Sequence, residues 1–225
     1  TDSGTVTVGG NLIATTDANN GVINLGTLAV DGTVQLTTNG NGAATVVNDA
    51  RLDFAASPVG GNLAATATTG NIVDSGVLTV TGTSSFTTSQ NNADIYLNNT
   101  NAFTGAVSLN TTGSSGHAIV DNGITALNLA ASSVGGNLTL TSGHASGITD
   151  SGTVTVGGNL IATTDANSGV ITMDGLRVDG TVQLTTHSNG AATVVNDAGL
   201  NFAASTVRGN LAATATTGDI VDSGV

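Results

Sequence analysis

The chain repeats itself over a long interval, and this feature constrains its fold more than any other. Residues 1–77 return as residues 149–225, and 64 of these 77 aligned positions are identical. A weaker half-repeat of about 74 residues lies inside, because residues 52–80 resemble residues 127–156. Chains built from copies of one unit are typical of solenoids, in which stacked units share a core. We therefore treat 1–225 as a single continuous repetitive segment.

A finer pattern of alternating residues indicates strands. Nine segments begin with glycine at spacings of 21 to 31 residues, namely Gly10, Gly32, Gly61, Gly82, Gly105, Gly136, Gly158, Gly180 and Gly209. The residues two and four positions after each glycine are apolar with one exception, Ser84, and the fifth is Thr in eight of nine segments. Apolar residues two apart share one face of a strand. Leu12, Val34 and Leu63 are therefore predicted to point into a core.

These segments predict a parallel β-helix. Each unit of roughly 25 residues contains three short alternating runs, which in the second unit are 27–30, 33–37 and 44–47. No helix of 10–12 residues fits between such runs. We expect an all-β solenoid of about nine coils with three short strands per coil. The two long spacings that hold FAASPVGGN and LAASSVGGN are interpreted as a third strand with a bulge or an enlarged corner.

The main alternative is an array of immunoglobulin-like β-sandwiches. That architecture predicts larger modules and a buried Trp or Tyr. The chain has no Trp and one Tyr, and its 25-residue periodicity is too short for a sandwich module. The solenoid is the better prediction.

Composition excludes several function classes. The formal net charge is −12 with only three Lys or Arg residues, which argues against nucleic acid as a partner. No apolar run approaches the roughly 20 residues that a membrane-spanning helix needs, so we expect no membrane insertion. The absence of Cys excludes disulfides and thiolate chemistry.

The triplet Asp-Ser-Gly recurs and raises the question of calcium. It begins at Asp2, Asp74, Asp150 and Asp222. Carboxylates bind calcium when several oxygens lie within about 2.6 Å of the ion, but aspartate also caps turns. Sites that recur once per three coils would be about 14 Å apart. The turn role of these aspartates is therefore favoured over calcium binding. No metal or cofactor other than calcium is expected.

No catalytic residue is predicted. His117, His144 and His187 lie in loop-like contexts, and His187 aligns with Asn39 of the other copy. Each arginine is likewise replaced in the sister copy: Arg51 by Gly199, Arg177 by Ala29 and Arg208 by Gly60. β-Helical enzymes that cleave acidic polysaccharides need clustered acids or bases in a cleft. We therefore expect a protein that is not an enzyme.

The repeat style resembles a known family. The motifs GGNLIATTDANNGVI (9–23) and GNLAATATTGNIVDSG (61–76), with no Cys, are similar to the repeat shafts of filamentous-haemagglutinin-like bacterial exoproteins. The resemblance implies a right-handed β-helix that is secreted or on the bacterial cell surface. It also implies a structural role in adhesion, aggregation or biofilm cohesion. Expected partners are flanking repeats, end-to-end copies, and surface glycans or matrix polysaccharide.

Two further functions are kept as alternatives. A carbohydrate- or ice-binding solenoid is one alternative. The Thr column suggests ice binding, although a flat ice-binding surface usually has two matched Thr columns in every coil. A viral tail-fibre segment, in which three chains wrap together, is the other alternative.

Overall fold

The computed structural model describes residues 2–165 and 168–224. Over these residues the chain forms 27 strands and no helix, and the strands stack as parallel sheets. This confirms the predicted all-β parallel solenoid. The strands are β1 Val6–Val8, β2 Leu12–Asn19, β3 Ile23–Val30, β4 Thr33–Asn39, β5 Ala44–Asn48, β6 Leu52–Phe54, β7 Ser57–Val59, β8 Leu63–Ala67, β9 Ile72–Asp74, β10 Leu78–Val80, β11 Ser84–Asn91, β12 Ile95–Leu97, β13 Ala102–Phe103, β14 Val107–Thr112, β15 Ala118–Asp121, β16 Leu127–Leu129, β17 Ser132–Val134, β18 Leu138–Ser142, β19 Ile148–Asp150, β20 Val154–Val156, β21 Leu160–Thr164, β22 Ile171–Val178, β23 Thr181–Thr185, β24 Ala192–Asn196, β25 Leu200–Phe202, β26 Leu211–Ala215 and β27 Ile220–Asp222.

Successive coils build three sheets. The first sheet has 13 strands and includes β1, β3, β5, β8 and β11; the third has only β7, β10 and β13. The second sheet has 11 strands in the order β2-β4-β6-β9-β12-β15-β18-β21-β23-β25-β27. Neighbouring strands of this sheet pair residues one turn apart, such as Leu12 with Val34 and Ile95 with Ala118. The chain makes about 10 turns of about 21 residues, more and shorter turns than the predicted nine of roughly 25.

The half-repeat carries each motif to the other side of the solenoid. β2 and β21 hold equivalent residues of the two copies and lie seven turns apart in the second sheet, so the half-repeat spans three and a half turns. Accordingly β8 lies in the first sheet, whereas its half-repeat equivalent β18 lies in the second. Conversely, β9 belongs to the second sheet, whereas its half-repeat equivalent β19 belongs to the first. The solenoid thus has an approximate twofold screw symmetry.

The nine glycine-led segments consequently do not form one ladder. Those after Gly10, Gly32, Gly136, Gly158 and Gly180 lie in the second sheet, and the other four lie in the first. Val34 stacks on Phe54, one turn later, rather than on Leu63. A long spacing covers one whole turn plus the passage to the other sheet. Within the first two long spacings, the predicted third strand is present as β7 and β17.

The interior is a continuous apolar core. Val34 and Leu63 are fully buried, and Leu12 in the first turn packs partly buried against the core, as predicted. Leu211, in the last turns, is 48% exposed.

Three phenylalanines stack edge to face in successive coils. Their ring centroids are 6.4 Å apart for Phe54 and Phe86 and 5.6 Å apart for Phe86 and Phe103.

Glycine precedes these strands because adjacent coils approach closely at the corners. A Cβ atom on Gly32 would collide with the Gly10 carbonyl, and one on Gly180 would collide with the Gly158 carbonyl. Neither Gly32 nor Gly180 has a positive φ, so close approach of the coils and not a left-handed backbone requires glycine at these two positions. Gly40 does adopt the left-handed conformation, with a φ of +62°.

Buried asparagines complete the backbone ladder where a coil turns early. Asn48 Oδ1 accepts the Val30 N–H at 2.9 Å, and Asn48 Nδ2 donates to the carbonyls of Val30 and Arg51 at 3.0 and 2.9 Å. Asn196 makes the same pair of bonds with Val178 in the second copy. Both asparagines are 1% exposed. The side-chain amide therefore stands in for a neighbouring peptide group.

Candidate functional site

The Asp-Ser-Gly aspartates bind backbone N–H groups of the next coil. Asp2 accepts from Gly26 and Thr27 at 3.0 and 2.8 Å. Asp150 accepts from Asp174 and Gly175 at 3.1 and 2.9 Å. These carboxylates clamp one coil to the next, whereas a turn cap would bind the backbone of its own turn.

The same clamp recurs on the opposite side of the solenoid. Asp74, at the end of β9, accepts the N–H groups of Asn98 and Asn99 at 3.0 and 3.1 Å. Its Oδ2 also accepts from Asn101 Nδ2 at 2.7 Å. Asp222 lies exposed at the end of β27 and stacks on Phe202 in the same sheet. The four aspartates alternate between two corners, so they do not form the single row along the rod that one site per three coils implies.

Asp2 and Asp150 occupy equivalent positions but differ in their hydrogen bonds. The hydroxyl of Thr27 lies 2.8 Å from Asp2 Oδ2 and 3.0 Å from the Gly4 carbonyl oxygen. In the second copy, Gly175 stands at the Thr27 position and brings no hydroxyl. Asp150 therefore keeps its two backbone donors and has lost the side-chain donor.

The pKa values of the two carboxyls shift in opposite directions. Hydrogen bonds from the Gly26 N–H, the Thr27 hydroxyl and the Thr27 N–H lower the pKa of Asp2. Burial raises the pKa of Asp150, and the negative charge of Asp174 adds to that rise. The missing hydroxyl and the added carboxylate both favour the protonated form of Asp150.

A groove opens beside each of these two aspartates. The first groove, next to Asp2, has a volume of about 240 Å³, and its lining includes Thr5, Gly26, Thr27, Leu28, Val47 and Asp49. The second groove, next to Asp150, has a volume of about 280 Å³, and its lining includes Asp174, Gly175, Arg177, Val195, Asp197 and Thr216. The positions of the two linings correspond through the 148-residue repeat, so the grooves lie on the same side of the rod, seven turns apart.

The second groove carries charge that the first lacks. Arg177 Nε lies 2.6 Å from Asp197 Oδ2, and both side chains are about half exposed. The position of Arg177 is Ala29 in the first copy, and that of Asp174 is Gly26. The second groove thus has an ion pair and an added carboxylate near the Asp-Ser-Gly corner, which the first groove lacks.

The histidines take part in corner hydrogen bonds. His117 Nδ1 accepts the Asn137 N–H at 2.8 Å, and the His117 N–H donates to Asp94 Oδ1 at the same distance. Asn137 Oδ1 in turn accepts from the Asn159 N–H at 2.9 Å, so an imidazole and an amide play the same part in one ladder. His144 Nδ1 accepts from Ser146 N–H at 3.0 Å. His187 Nδ1 lies 2.7 Å from the Thr164 carbonyl oxygen.

The structure does not bring the predicted candidates together into a catalytic or metal-binding cluster. Among residues 2–165 and 168–224, no group of three or more His, Cys, Asp or Glu side chains is placed to hold a metal ion. Arg51 pairs with Asp53 at 3.1 Å and lies far in sequence from Arg177. Arg208 is exposed. Within the described part of the chain, no helix is long and apolar enough to span a bilayer.

Sequence reasoning did not identify the second groove, although a signal for it was present. Of the 13 differences between the copies, five fall within residues 24–29 and their equivalents 172–177. They change the groove lining at Gly26, Thr27 and Ala29 while the clamp aspartate is kept. A local concentration of differences in otherwise identical repeats marks the surface that has diverged.

The comparisons with known proteins identify a repeat family. No curated protein and no solved structure matches the chain. Three stretches, residues 41–110, 115–185 and 189–225, match the family described as Repeats of unknown function (DUF5649). Each match begins one half-repeat after the match before it, so one family unit corresponds to three and a half turns of the solenoid. The matches cover most of the chain, and the protein therefore belongs to this family of repeats.

Proposed function

We propose that the protein is a non-enzymatic structural shaft of a secreted or cell-surface bacterial fibre of the filamentous-haemagglutinin-like kind. The observation that carries the proposal is the unbroken stacking of the second sheet through about 10 turns. In such a rod every coil bonds to both neighbours, so load is shared along the whole length. The shaft would hold binding regions away from the cell and support adhesion or biofilm cohesion.

The inter-coil bonds favour a load-bearing role over a catalytic one. Besides the backbone ladder, side chains of one coil bind the backbone of the next, as Asp2, Asp74 and Asp150 do. The corner ladder of Asn137 and Asn159 adds further bonds of this kind. The bonds of Asp2 to the next coil recur at Asp150 in the second copy, whereas an active site needs residues that break the repeat.

Ice binding receives less support from the outer faces. Thr141, Thr163 and Thr185 stack in register on the second sheet. The neighbouring outward column in the same coils holds Thr139, Ile161 and Gln183, so a second matched Thr row is missing there. An isolated Thr row fits mutual packing on an exposed sheet.

Electron microscopy of proteins with one, two and three 148-residue repeats tests the shaft. We expect rods of constant width whose length grows by about 34 Å per repeat, since each of seven turns rises about 4.8 Å. Compact particles would contradict the proposal. Sedimentation of the same samples distinguishes a single-chain shaft from a tail fibre, which would sediment as a trimer.

Surface labelling of the producing bacterium tests the location. An antibody against the repeat should bind intact cells or the culture medium. Signal confined to lysed cells would defeat the secreted or surface assignment while leaving the rod geometry intact.

A further inference from the structure

One corner of the solenoid is held by a row of side-chain acceptors, each of which binds a backbone N–H group of the following turn. The acceptors are Asn71 Oδ1, Asp94 Oδ1, His117 Nδ1, Asn137 Oδ1 and Asn159 Oδ1, at 2.8 to 2.9 Å from the donor nitrogens. Three of these five acceptors are amides, which do not titrate near neutral pH. His117 is the one imidazole in the row, so this link differs from the others in its chemistry.

The three histidines use Nδ1 in two different ways. His117 Nδ1 accepts the Asn137 N–H at 2.8 Å, so the neutral ring carries its proton on Nε2. His187 Nδ1 lies 2.7 Å from the Thr164 carbonyl oxygen, and since a carbonyl only accepts, this nitrogen carries a proton. His144 Nδ1 accepts an N–H group of its own loop. Of the three, His117 alone joins two turns through an imidazole nitrogen that must be unprotonated.

We propose that His117 makes the contact between these two turns pH-sensitive. An imidazole takes up a second proton between about pH 8 and pH 5, and the protonated ring donates from both nitrogens. The half-buried side chain of His117 can receive this proton from solvent. Protonated Nδ1 would then face the Asn137 N–H as donor against donor. The bond between the turns is therefore lost in mild acid and restored when the proton leaves.

The groups around His117 differ between the two neighbouring turns. On the preceding turn, Asp94 Oδ1 accepts the His117 N–H at 2.8 Å and Asp94 Oδ2 accepts the Tyr96 hydroxyl at 2.8 Å. On the following turn, Gly136 and Asn137 contact the ring and carry no charge. A protonated ring would thus be attracted by the carboxylate of the preceding turn and repelled by the N–H group of the following one.

Backbone hydrogen bonds on both sides of this link keep the change local. The Gly136 N–H donates to the Gly116 carbonyl at 2.8 Å, and the Ala118 N–H donates to the Asn137 carbonyl at 2.9 Å. Neither bond depends on the imidazole. We expect the corner to open in mild acid while the two turns stay stacked. This inference is independent of the shaft proposal, because the stacking it describes is the same in any solenoid of this sequence.

Imidazole ¹⁵N NMR and amide hydrogen exchange on the full chain test the proposal. At pH 8 the neutral ring of His117 should carry its proton on Nε2, and that of His187 on Nδ1. Between pH 8 and pH 5 the Asn137 amide should lose at least tenfold of its protection, after correction for the intrinsic pH dependence of exchange. The Thr181 amide, which binds Asn159 Oδ1 two turns on, should keep its protection.

Three results of these measurements would overturn the proposal. The first is a proton on His117 Nδ1 at pH 8. The second is unchanged protection of the Asn137 amide after His117 has titrated. The third is an equal loss of protection at Asn137 and Thr181, which would indicate a general loosening of the solenoid by its carboxyl groups.

Two asparagine substitutions separate the roles of the histidines. His117→Asn introduces the residue that serves as acceptor in the next two turns, so protection of the Asn137 amide should persist and become independent of pH. His187→Asn is the control, because it matches Asn39 of the sister copy, whose Nδ2 donates to a carbonyl of the preceding turn at 3.2 Å. This control should keep the wild-type pH response at Asn137. A wild-type pH response in His117→Asn would refute the role of the imidazole.

An alanine substitution tests whether the imidazole nitrogen is the acceptor at all. In His117→Ala the Asn137 N–H has no side-chain acceptor, so its amide should exchange at least tenfold faster than in the wild type at pH 8. The rate at pH 5, corrected in the same way, should be similar to that at pH 8. Wild-type protection of Asn137 in His117→Ala at pH 8 would contradict the proposal.

Discussion

The effect of a buried polar residue on the stability of this solenoid depends on the hydrogen-bond partners around it. Ser84 is the one polar residue in the inward column two positions after the glycines, and it is 2% exposed with no hydrogen-bond partner for its hydroxyl. Ser57 is equally buried, but its Oγ accepts the Leu36 N–H at 3.0 Å and donates to the Ala55 carbonyl at 2.7 Å. Burial alone does not distinguish these serines; their hydrogen bonds do.

Replacing the two serines by alanine should change stability in opposite directions. Ser84→Ala removes an unpaired buried hydroxyl and should raise the free energy of unfolding by about 1 kcal/mol. Ser57→Ala strands the Leu36 N–H and should lower the free energy of unfolding by about 1–3 kcal/mol. Chemical denaturation measures both values. A loss of stability in Ser84→Ala would show that the hydroxyl has a partner.

The pKa of Asp2 should lie below the ordinary value of an aspartate, and the pKa of Asp150 should lie above it. The lowered pKa of Asp2 means that its stabilising contribution is present above the ordinary pKa and is lost as pH falls through the folded value. The raised pKa of Asp150, which faces Asp174, means that stability falls as pH rises from the ordinary to the folded value. Gly175→Thr supplies a donor and should lower the Asp150 pKa.

Carboxyl-detected NMR titration measures both groups separately. Asp2 should titrate below Asp150 in the wild-type protein, and the gap should narrow in Gly175→Thr. Titration in the reverse order would contradict the assigned hydrogen bonds.

At the scale of elements, coils differ in how the chain turns at their corners. At the corner where the chain passes directly from the first sheet to β6, the Asn48 side chain accepts the hydrogen bond that a neighbouring peptide carbonyl would otherwise accept. Asn48→Ala would leave the buried Val30 N–H and carbonyl unpaired and should lower the free energy of unfolding by about 2–4 kcal/mol. Asn24→Thr, a change to the residue of the sister copy, is the control and should have little effect. Denaturation of both variants tests this, and wild-type stability in Asn48→Ala would refute the role of the amide.

Much of the element pattern could be predicted from sequence. Alternation after each glycine correctly places Leu36, Leu109 and Leu140 in the core, because the period of a strand depends on local residues alone. The assignment of these segments to sheets could not be predicted in the same way. A column of similar residues does not reveal that Val34 and Leu63 belong to different sheets, since both faces bury the same residue types.

The clamp and the groove were harder to predict for a related reason. Asp-Ser-Gly indicates a turn, but the donors that the carboxylate binds belong to the next coil of the solenoid. The contact depends on the register between coils, which is set by corner lengths. The differences at Gly26 and Thr27 are interpretable only through this register, which places both residues beside Asp2.

On the scale of the whole molecule, the family unit and the solenoid turn are out of step by half a turn. Each family unit therefore presents its surface on the side opposite to that of its neighbour. Any feature carried by every unit recurs along one side only at every second unit, a rise of about 34 Å. The two grooves follow this rule, because they are separated by the full 148-residue repeat.

Pulsed electron paramagnetic resonance tests this stacking most directly, since the chain has no cysteine and can be labelled at chosen pairs. Labels at Ile13 and Ile161, and in a second sample at Ala64 and Ala212, occupy equivalent outward positions seven turns apart on each of the two sheets. Both pairs should give one narrow distance near about 34 Å. Clearly different distances for the two pairs, or broad distributions, would contradict a continuous solenoid in which one long repeat makes seven turns.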